Sequence, residues 1–160
     1  MATLIQTDYS QKLELPLSLK TVSSDETFIL GKHLAPFLSK GSVVALRGPL
    51  GAGKTCLAKG LANGLGITDE ITSPTYTIVS EYNAVISGEE IPVYHIDAYR
   101  LGGNDDFAAI GGEEIVFGQG ISIIEWSERI SDFIPPNALK IDFELLKDNE
   151  RQIHVSRDET

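Results

Sequence analysis

Three features of the sequence predict a three-layer α/β fold, in which a central sheet lies between layers of helices. Residues 42–47 form an apolar, β-prone run that ends at a glycine-rich loop. An amphipathic helical pattern starts directly after that loop. Farther along, short apolar runs separated by turn-forming residues indicate hairpins. We therefore predict a mixed sheet that is parallel in part, with antiparallel hairpins added, as in P-loop NTPase-like folds.

The glycine-rich loop at residues 48–55 matches the phosphate-binding pattern of Gly, four free positions, then Gly-Lys-Thr. Glycine lets successive backbone N–H groups point at phosphate oxygens, and the start of the following helix adds partial positive charge. The ammonium group of Lys54 would reach the β- and γ-phosphates, and the hydroxyl of Thr55 would bind Mg²⁺. The predicted nucleotide-binding residues here are Gly48, Gly51, Ala52, Gly53, Lys54, Thr55 and Cys56.

The predicted elements before the loop are a strand and a helix. Residues 12–20 alternate between apolar and polar side chains, which predicts a half-buried strand, and Pro16 favours an edge position. Ser23 and Glu26 form a capping box at the start of a helix whose apolar positions extend to Leu38.

The elements after the loop continue the α/β pattern. Glycines are expected to end the helix that follows the loop. Polar residues 83–90 are expected to join two extended segments, at residues 75–82 and 91–96. The remaining expected elements are a helical region at residues 105–117, broken near residues 111–112, and strands at residues 121–124, 139–145 and 151–155.

Length and composition set further limits. A chain of 160 residues suggests a single domain over residues 1–160, of which residues 1–11 carry no clear pattern and are expected to fray. The single cysteine, Cys56, excludes an internal disulfide. The sequence has neither a secretory signal pattern nor a membrane-spanning apolar run, so we expect a cytoplasmic protein. The formal charge of −10 argues against direct nucleic-acid binding and favours protein partners.

Two carboxylates, Asp97 and Glu125, each follow an apolar run downstream of the loop. A Mg²⁺–nucleotide site needs a carboxylate at the end of a neighbouring strand. Either acid could instead be a solvated strand-end residue, and the pattern leaves open which of them binds the metal and which positions water. His95 shares a strand face with Asp97, and Trp126 follows Glu125. Both could reach the site or pack in the core.

A segment rich in hydroxyl groups lies where P-loop proteins often carry residues that respond to the γ-phosphate. Its hydroxyls could donate to phosphate or to the attacking water. The alternative is an ordinary Ser-Pro turn that leads into a strand. The predicted switch residues are Ser73, Pro74, Thr75, Tyr76 and Thr77.

Taken together, these motifs resemble the TsaE (YjeE) family of bacterial ATPases. The resemblance rests on GAGKT at residues 51–55, SPTYTIV at residues 73–79, HIDAYRL at residues 95–101 and the pair Glu125-Trp126. The loop motif is generic, whereas the other three are specific in this order and spacing. The likeness extends from about residue 22 to residue 155.

The resemblance implies a function. Proteins of this family bind and hydrolyse ATP with Mg²⁺, slowly when alone, and act with the TsaB–TsaD pair. They support threonylcarbamoyl modification of the adenosine next to the anticodon, in tRNAs that read codons starting with A. The tRNA would be reached only indirectly, through the partner proteins.

The resemblance also implies roles for particular residues. Thr55 and Glu125 would hold Mg²⁺, and Asp97 would lie near the γ-phosphate and be needed for activity. The implied catalytic residues are Lys54, Asp97 and Glu125. The residues that match positions around the adenine are Ser24, Thr27 and Arg151.

Two positions depart from the family pattern. Pro49 stands where an acidic residue is usual, and Cys56 stands where a second threonine is common. Neither change removes a phosphate or Mg²⁺ contact.

The main alternative function is a small-molecule or nucleotide P-loop kinase, which is disfavoured because the arginines are scattered. A GTPase is disfavoured by the lack of an Asn-Lys-x-Asp motif, and a nucleotide-gated interaction module is compatible with the family's function.

Overall fold

The computed structural model describes residues 14–69, 71 and 78–158. Within them, seven strands form one sheet in the order first, seventh, sixth, second, fifth, fourth, third. In chain order the strands are β1 Leu17–Thr21, β2 Val43–Arg47, β3 Val79–Ile86, β4 Glu89–Asp97, β5 Ile121–Glu125, β6 Leu139–Leu145 and β7 Arg151–Ser156.

The centre of the sheet is parallel and its outer parts are antiparallel. β2 pairs in parallel with both β5 and β6, and β4 pairs in parallel with β5. The hairpins β3–β4 and β6–β7 are antiparallel, and β1 adds to β7 at the edge. The predicted mixed sheet is confirmed. Because β2, β4 and β5 end at the same edge, the loops that follow them meet there.

Helices cover both faces of the sheet. They are α1 Ser24–Leu34, α2 Lys54–Gly64, α3 Asn104–Ala109 and α4 Gly112–Val116. α1 and α2 pack on the face that carries Val44 and Leu46. α3 and α4, together with a 3₁₀ segment at Ser127–Phe133, pack on the face that carries Val43 and Ala45. β2 is therefore buried on both faces, which explains its uninterrupted apolar sequence.

The helices that cover the sheet are short. α1 and α2 have 11 residues each, α3 has 6 and α4 has 5. Among the described residues, no helix is long and apolar enough to cross a membrane.

α1 starts where the capping box predicts, but it ends before the residue predicted from its apolar pattern. The hydroxyl oxygen of Ser23 accepts a hydrogen bond from the backbone N–H of Glu26 at 3.2 Å. The helix stops at Leu34 and gives way to a 3₁₀ turn at Ala35–Phe37, so it does not extend to Leu38 as expected. The cause is Pro36, which has no N–H for a helical hydrogen bond.

The predicted hairpin between these two extended segments is confirmed. The expected length of its polar connection, residues 83–90, is wrong, because both strands continue into it. β3 runs to Ile86 and β4 begins at Glu89, so only Ser87 and Gly88 form the turn. Their φ angles of 53° and 78° are typical of a tight hairpin turn. The segment is polar because this hairpin is largely exposed on one side. Residues 12–13 and 75–77, included in two expected strands, lie outside the described residues.

α1 and α2 cross in direct backbone contact at Gly31 and Gly60. A Cβ atom on Gly60 would lie 3.1 Å from the Cα of Gly31 and would clash with the carbonyl oxygen of Phe28. A Cβ on Gly31 would clash with the carbonyl oxygen of Leu57 and lie 2.9 Å from the backbone nitrogen of Leu61. Only glycine at both positions allows this close approach, which fixes α2 and the loop before it against α1.

We expect Gly60→Ala to destabilise the protein. The added methyl group must separate two packed helices, and overpacking of this kind costs about 1–3 kcal/mol. The free energy of unfolding, measured by urea denaturation, should fall by that amount. Lys59→Ala, at the neighbouring exposed position, is the control and should change stability by less than about 0.5 kcal/mol. Equal stability of Gly60→Ala and the native chain would contradict the close crossing.

Candidate nucleotide site

The phosphate-binding loop lies between β2 and α2, at the edge where the central strands end. Gly53 is the N-cap of α2 and has a φ of 101°, which a residue with a side chain adopts only under strain. A cap without a side chain leaves the first N–H groups of α2 for an external anion. At the start of the loop, a Cβ on Gly48 would lie only 2.7 Å from the Cβ of Phe143. The loop therefore depends on glycine at both ends.

Lys54 is folded back into the loop. Only 4% of its surface is exposed, and its ammonium group donates to the carbonyl oxygens of Gly48 at 2.6 Å and Pro49 at 2.8 Å. The same Nζ atom lies 4.0 Å from the ring centroid of Trp126. Burial lowers the pKa of Lys54, and nearby carboxylates, Glu125 foremost, act in the opposite direction. A buried cation is thus held at the loop by two carbonyls and an aromatic ring.

Glu125 joins the sheet to α2. It ends β5 and is buried, with 4% of its surface exposed. Its Oε1 accepts a hydrogen bond from the Thr55 hydroxyl at 2.8 Å, and its Oε2 lies 2.5 Å from Nε2 of His95. Of the two carboxylates that the sequence left open, Glu125 is the one that contacts Thr55. His95, which could also have been a core residue, contacts the site through Glu125.

Asp97 ends β4, directly beside Glu125 in the parallel ladder. Its Oδ1 accepts the backbone N–H of Tyr99 at 3.0 Å. Asp97 borders the same cleft as Thr55 and Glu125. The two carboxylates come together because neighbouring parallel strands end at one edge of the sheet.

Arg151, the first residue of β7, braces the loop from the opposite side. Its Nε donates to the carbonyl oxygen of Ala52 at 3.1 Å, and its Nη2 donates to that of Gly51 at 3.2 Å. Its Nη1 donates to the carbonyl oxygen of Asn149. These contacts link the hairpin of β6 and β7 to the loop.

Cys56 and Ser24 join the first turns of α2 and α1. The Cys56 thiol donates to the carbonyl oxygen of Ser24 at 3.0 Å. Burial raises the pKa of Cys56, while Lys59 and Arg151 act in the opposite direction. The thiol form that donates this hydrogen bond is therefore favoured, and both residues border the cleft.

Thr27 lies beneath the loop and does not border the cleft. It is fully buried, and its hydroxyl is hydrogen-bonded to the hydroxyl of Thr21 at 2.8 Å and to the carbonyl oxygen of Ser23 at 3.2 Å. Its methyl carbon lies 3.5 Å from the position that a Cβ on Gly53 would take. Thr27 thus supports the loop from below.

The cleft at this edge has a volume of about 360 Å³, a size typical of small-molecule sites. Predicted residues that border it include Ser24, Gly51, Lys54, Thr55, Asp97 and Glu125. The predicted switch residues, Ser73, Pro74, Thr75, Tyr76 and Thr77, lie outside the described residues.

Trp126 and Tyr99 border the cleft, and Arg129 lies against Tyr99. Sequence reasoning named Trp126 as a residue that could reach the site, but it missed Tyr99 and Arg129. The ring of Trp126 lies 4.9 Å from that of Tyr99, and the guanidinium carbon of Arg129 lies 5.0 Å from the Tyr99 ring centroid. Trp126 has φ 59° and ψ 43°, a left-handed conformation that is uncommon for a bulky residue and recurs at functional sites. No sequence signal indicates that conformation. The aromatic residue in HIDAYRL was the available hint for Tyr99.

A strand, a phosphate-binding loop and a helix at the centre of a mixed, helix-covered sheet define a P-loop NTPase-like fold, as predicted. The chain belongs to the TsaE family. The model of that family, described as threonylcarbamoyl adenosine biosynthesis protein TsaE, matches residues 21–153. The resemblance inferred from the motifs is therefore confirmed.

Individual relatives agree with the family model. The chain is 43% identical over 134 residues to the tRNA threonylcarbamoyladenosine biosynthesis protein TsaE of Treponema pallidum, a match over 84% of this chain and 96% of the relative. It is 41% identical over 137 residues to the protein of the same name from Bacillus subtilis, covering 86% and 83%. The crystal structure of Bacillus subtilis YdiB is similar, with a TM-score of 0.68, 38% identity and coverage of 88% of this chain and 84% of that one.

We expect Arg151→Met to loosen the loop. Methionine preserves much of the packing but removes the N–H donors to three carbonyl groups, so the free energy of unfolding should fall by about 1–2 kcal/mol. Amide hydrogen exchange should become faster at Ala52. Arg47→Met is the matched control, because Arg47 forms an exposed ion pair with Asp142 at 2.6 Å, which contributes at most about 1 kcal/mol. A smaller effect at Arg151 than at Arg47 would show that the loop does not depend on β7.

Proposed function

We propose that this protein is a Mg²⁺-dependent ATPase in tRNA threonylcarbamoyladenosine biosynthesis. One observation carries the proposal: the Thr55 hydroxyl is hydrogen-bonded to Glu125 directly beside Lys54 in a phosphate-binding loop. This is the combination of hydroxyl, carboxylate and cation that a Mg²⁺–triphosphate site requires. Membership of the TsaE family supports a role for this protein in that biosynthesis.

The loop residues suit a triphosphate. Lys54 has two carbonyl partners, at Gly48 and Pro49, that it can exchange for phosphate oxygens without a large movement of the backbone. The uncapped start of α2 supplies N–H groups for the same phosphates. Together these groups would neutralise negative charge on ATP and hold its γ-phosphate at the edge of the sheet.

The donor set also fits Mg²⁺. Thr55 and Glu125 offer a hydroxyl and a carboxylate oxygen, the hard ligands that Mg²⁺ accepts alongside nucleotide phosphates. When bound, Mg²⁺ would reduce the charge on the phosphates. Asp97, at the adjacent strand end, is the candidate for orienting the attacking water. Ser24, Cys56 and Arg151 also border the cleft, and in this proposal they would lie near the nucleoside.

We propose that the protein acts in the cytoplasm with the TsaB–TsaD pair and reaches tRNA only through those proteins. The formal charge of −10 opposes direct binding to the phosphate backbone of RNA. The same charge suits docking to proteins with basic surfaces. In this proposal the isolated chain hydrolyses ATP slowly, and its partners change that rate. The bound nucleotide would then determine whether the complex with TsaB–TsaD is assembled.

We expect substitutions at Lys54 and Glu125 to affect different steps: nucleotide binding at Lys54 and Mg²⁺-dependent ATP hydrolysis at Glu125. Lys54→Ala should weaken binding of a fluorescent ATP analogue about 100-fold, since it removes a charge-assisted contact worth roughly 3 kcal/mol. Glu125→Gln should bind the analogue without Mg²⁺ as the native chain does, but lose Mg²⁺-stimulated hydrolysis. The control is Glu114→Gln, an isosteric change at an exposed position on α4, which should leave both properties unchanged. Normal Mg²⁺ dependence in Glu125→Gln would move the metal role to Asp97.

We also expect the hydrolysis rate to change when TsaB and TsaD are added. Phosphate release by the native chain should be slow, and the pair should alter its rate in an ATP-dependent complex detected by co-purification. Lys54→Ala, which is expected to bind ATP weakly, is the control for phosphate released by contaminating ATPases. Rapid transfer of phosphate to a small acceptor would replace the proposal with a kinase function.

A further inference from the structure

His95 contacts the candidate site through a buried hydrogen bond to Glu125. Its side chain is buried, with 2% of the residue exposed, and Nε2 lies 2.5 Å from Oε2 of Glu125. The other carboxylate oxygen of Glu125 accepts the Thr55 hydroxyl. Both oxygens of this buried carboxylate are therefore held, one from β4 and one from α2.

The other ring nitrogen of His95 makes no comparable contact. Nδ1 is buried and has no hydrogen-bond partner among the described residues. Nε2 is therefore the ring atom through which the imidazole acts, and its partner is the carboxylate of Glu125.

A glutamate side chain has enough rotatable bonds to point away from Thr55 unless it is restrained. The restraint must come from a group on a rigid element, and β4 is a central strand paired on both sides. His95 lies beside Ile123, two residues before Glu125 in the ladder, so its side chain reaches the carboxylate from below the cleft. It contacts the carboxylate oxygen that Thr55 does not contact.

We propose that His95 is a positioning residue that holds Glu125 in the orientation needed to bind Mg²⁺ together with Thr55. This inference rests on the proposed Mg²⁺–nucleotide function and adds a residue that acts on the metal through Glu125. A partner of this kind typically alters metal affinity by about 10–100-fold. The effect should appear in Mg²⁺ affinity and leave Mg²⁺-free nucleotide binding unchanged.

Two amide substitutions at His95 test the proposal. His95→Gln places its amide nitrogen near the position of Nε2 and can still donate to Glu125. His95→Asn has the same chemistry, but its amide nitrogen is too near the backbone to reach. Binding of a fluorescent, non-hydrolysable ATP analogue would be titrated first in EDTA and then with increasing Mg²⁺. Ser122→Ala, which removes a buried hydroxyl from β5 away from the cleft, is the control.

We expect His95→Asn to need about tenfold more Mg²⁺ than the native chain, and His95→Gln to stay within about threefold of it. All variants should bind the analogue equally in EDTA, and thermal melting should show that each is folded. An unshifted Mg²⁺ midpoint in His95→Asn would overturn the proposal. So would equal impairment of both amides, which would indicate a packing role. If Mg²⁺ has no effect on analogue binding by the native chain, the proposed Mg²⁺-dependent function fails. That result differs from a failure of the His95 proposal alone, in which the native chain responds to Mg²⁺ and His95→Asn responds equally.

Discussion

The hydrogen bond between Thr55 and Glu125 is the contact on which the arrangement of the site depends. It joins the first turn of α2 to the end of β5, so it sets the rotation of the helix relative to the sheet. A shift of α2 by one residue would turn its side chains by about 100°, which would break this bond and remove Lys54 from the carbonyls of Gly48 and Pro49. The close crossing at Gly31 and Gly60 prevents such a shift from the other side of the helix.

The backbone of the loop contributes few hydrogen bonds to its own shape. Its backbone has one described internal hydrogen bond, from the N–H of Ala52 to the carbonyl oxygen of Pro49 at 3.2 Å. The ammonium group of Lys54 adds contacts to the carbonyl oxygens of Gly48 and Pro49, and the surrounding elements add Arg151 on one side and Thr27 beneath. The cleft is thus assembled from segments far apart in the chain. Its full set of contacts therefore includes the pairing of β6 with β2, which brings Arg151 of β7 to the loop.

The sequence predicted what depends on local pattern. The strand, loop and helix around Lys54 follow from an apolar run, glycines and helical spacing, and all of these are short-range signals. The contact between Glu125 and Thr55 spans 70 residues, so residue types alone left Asp97 as an equal candidate. The polar run at 83–90 was misread because an exposed strand and a loop have similar composition. Thr27 and Ser24, matched together by family resemblance, occupy different places because one is buried beneath the loop.

The left-handed turn at Trp126 places the only tryptophan of the chain against the ammonium group of Lys54, with 4.0 Å between Nζ and the ring centroid. A cation this close to an indole changes the electrostatic surroundings of the ring. Whatever draws Lys54 away from the loop carbonyls must also change the environment of that one chromophore. The intrinsic fluorescence of Trp126 therefore reports on the position of Lys54 in the loop, and it can be measured without an added label.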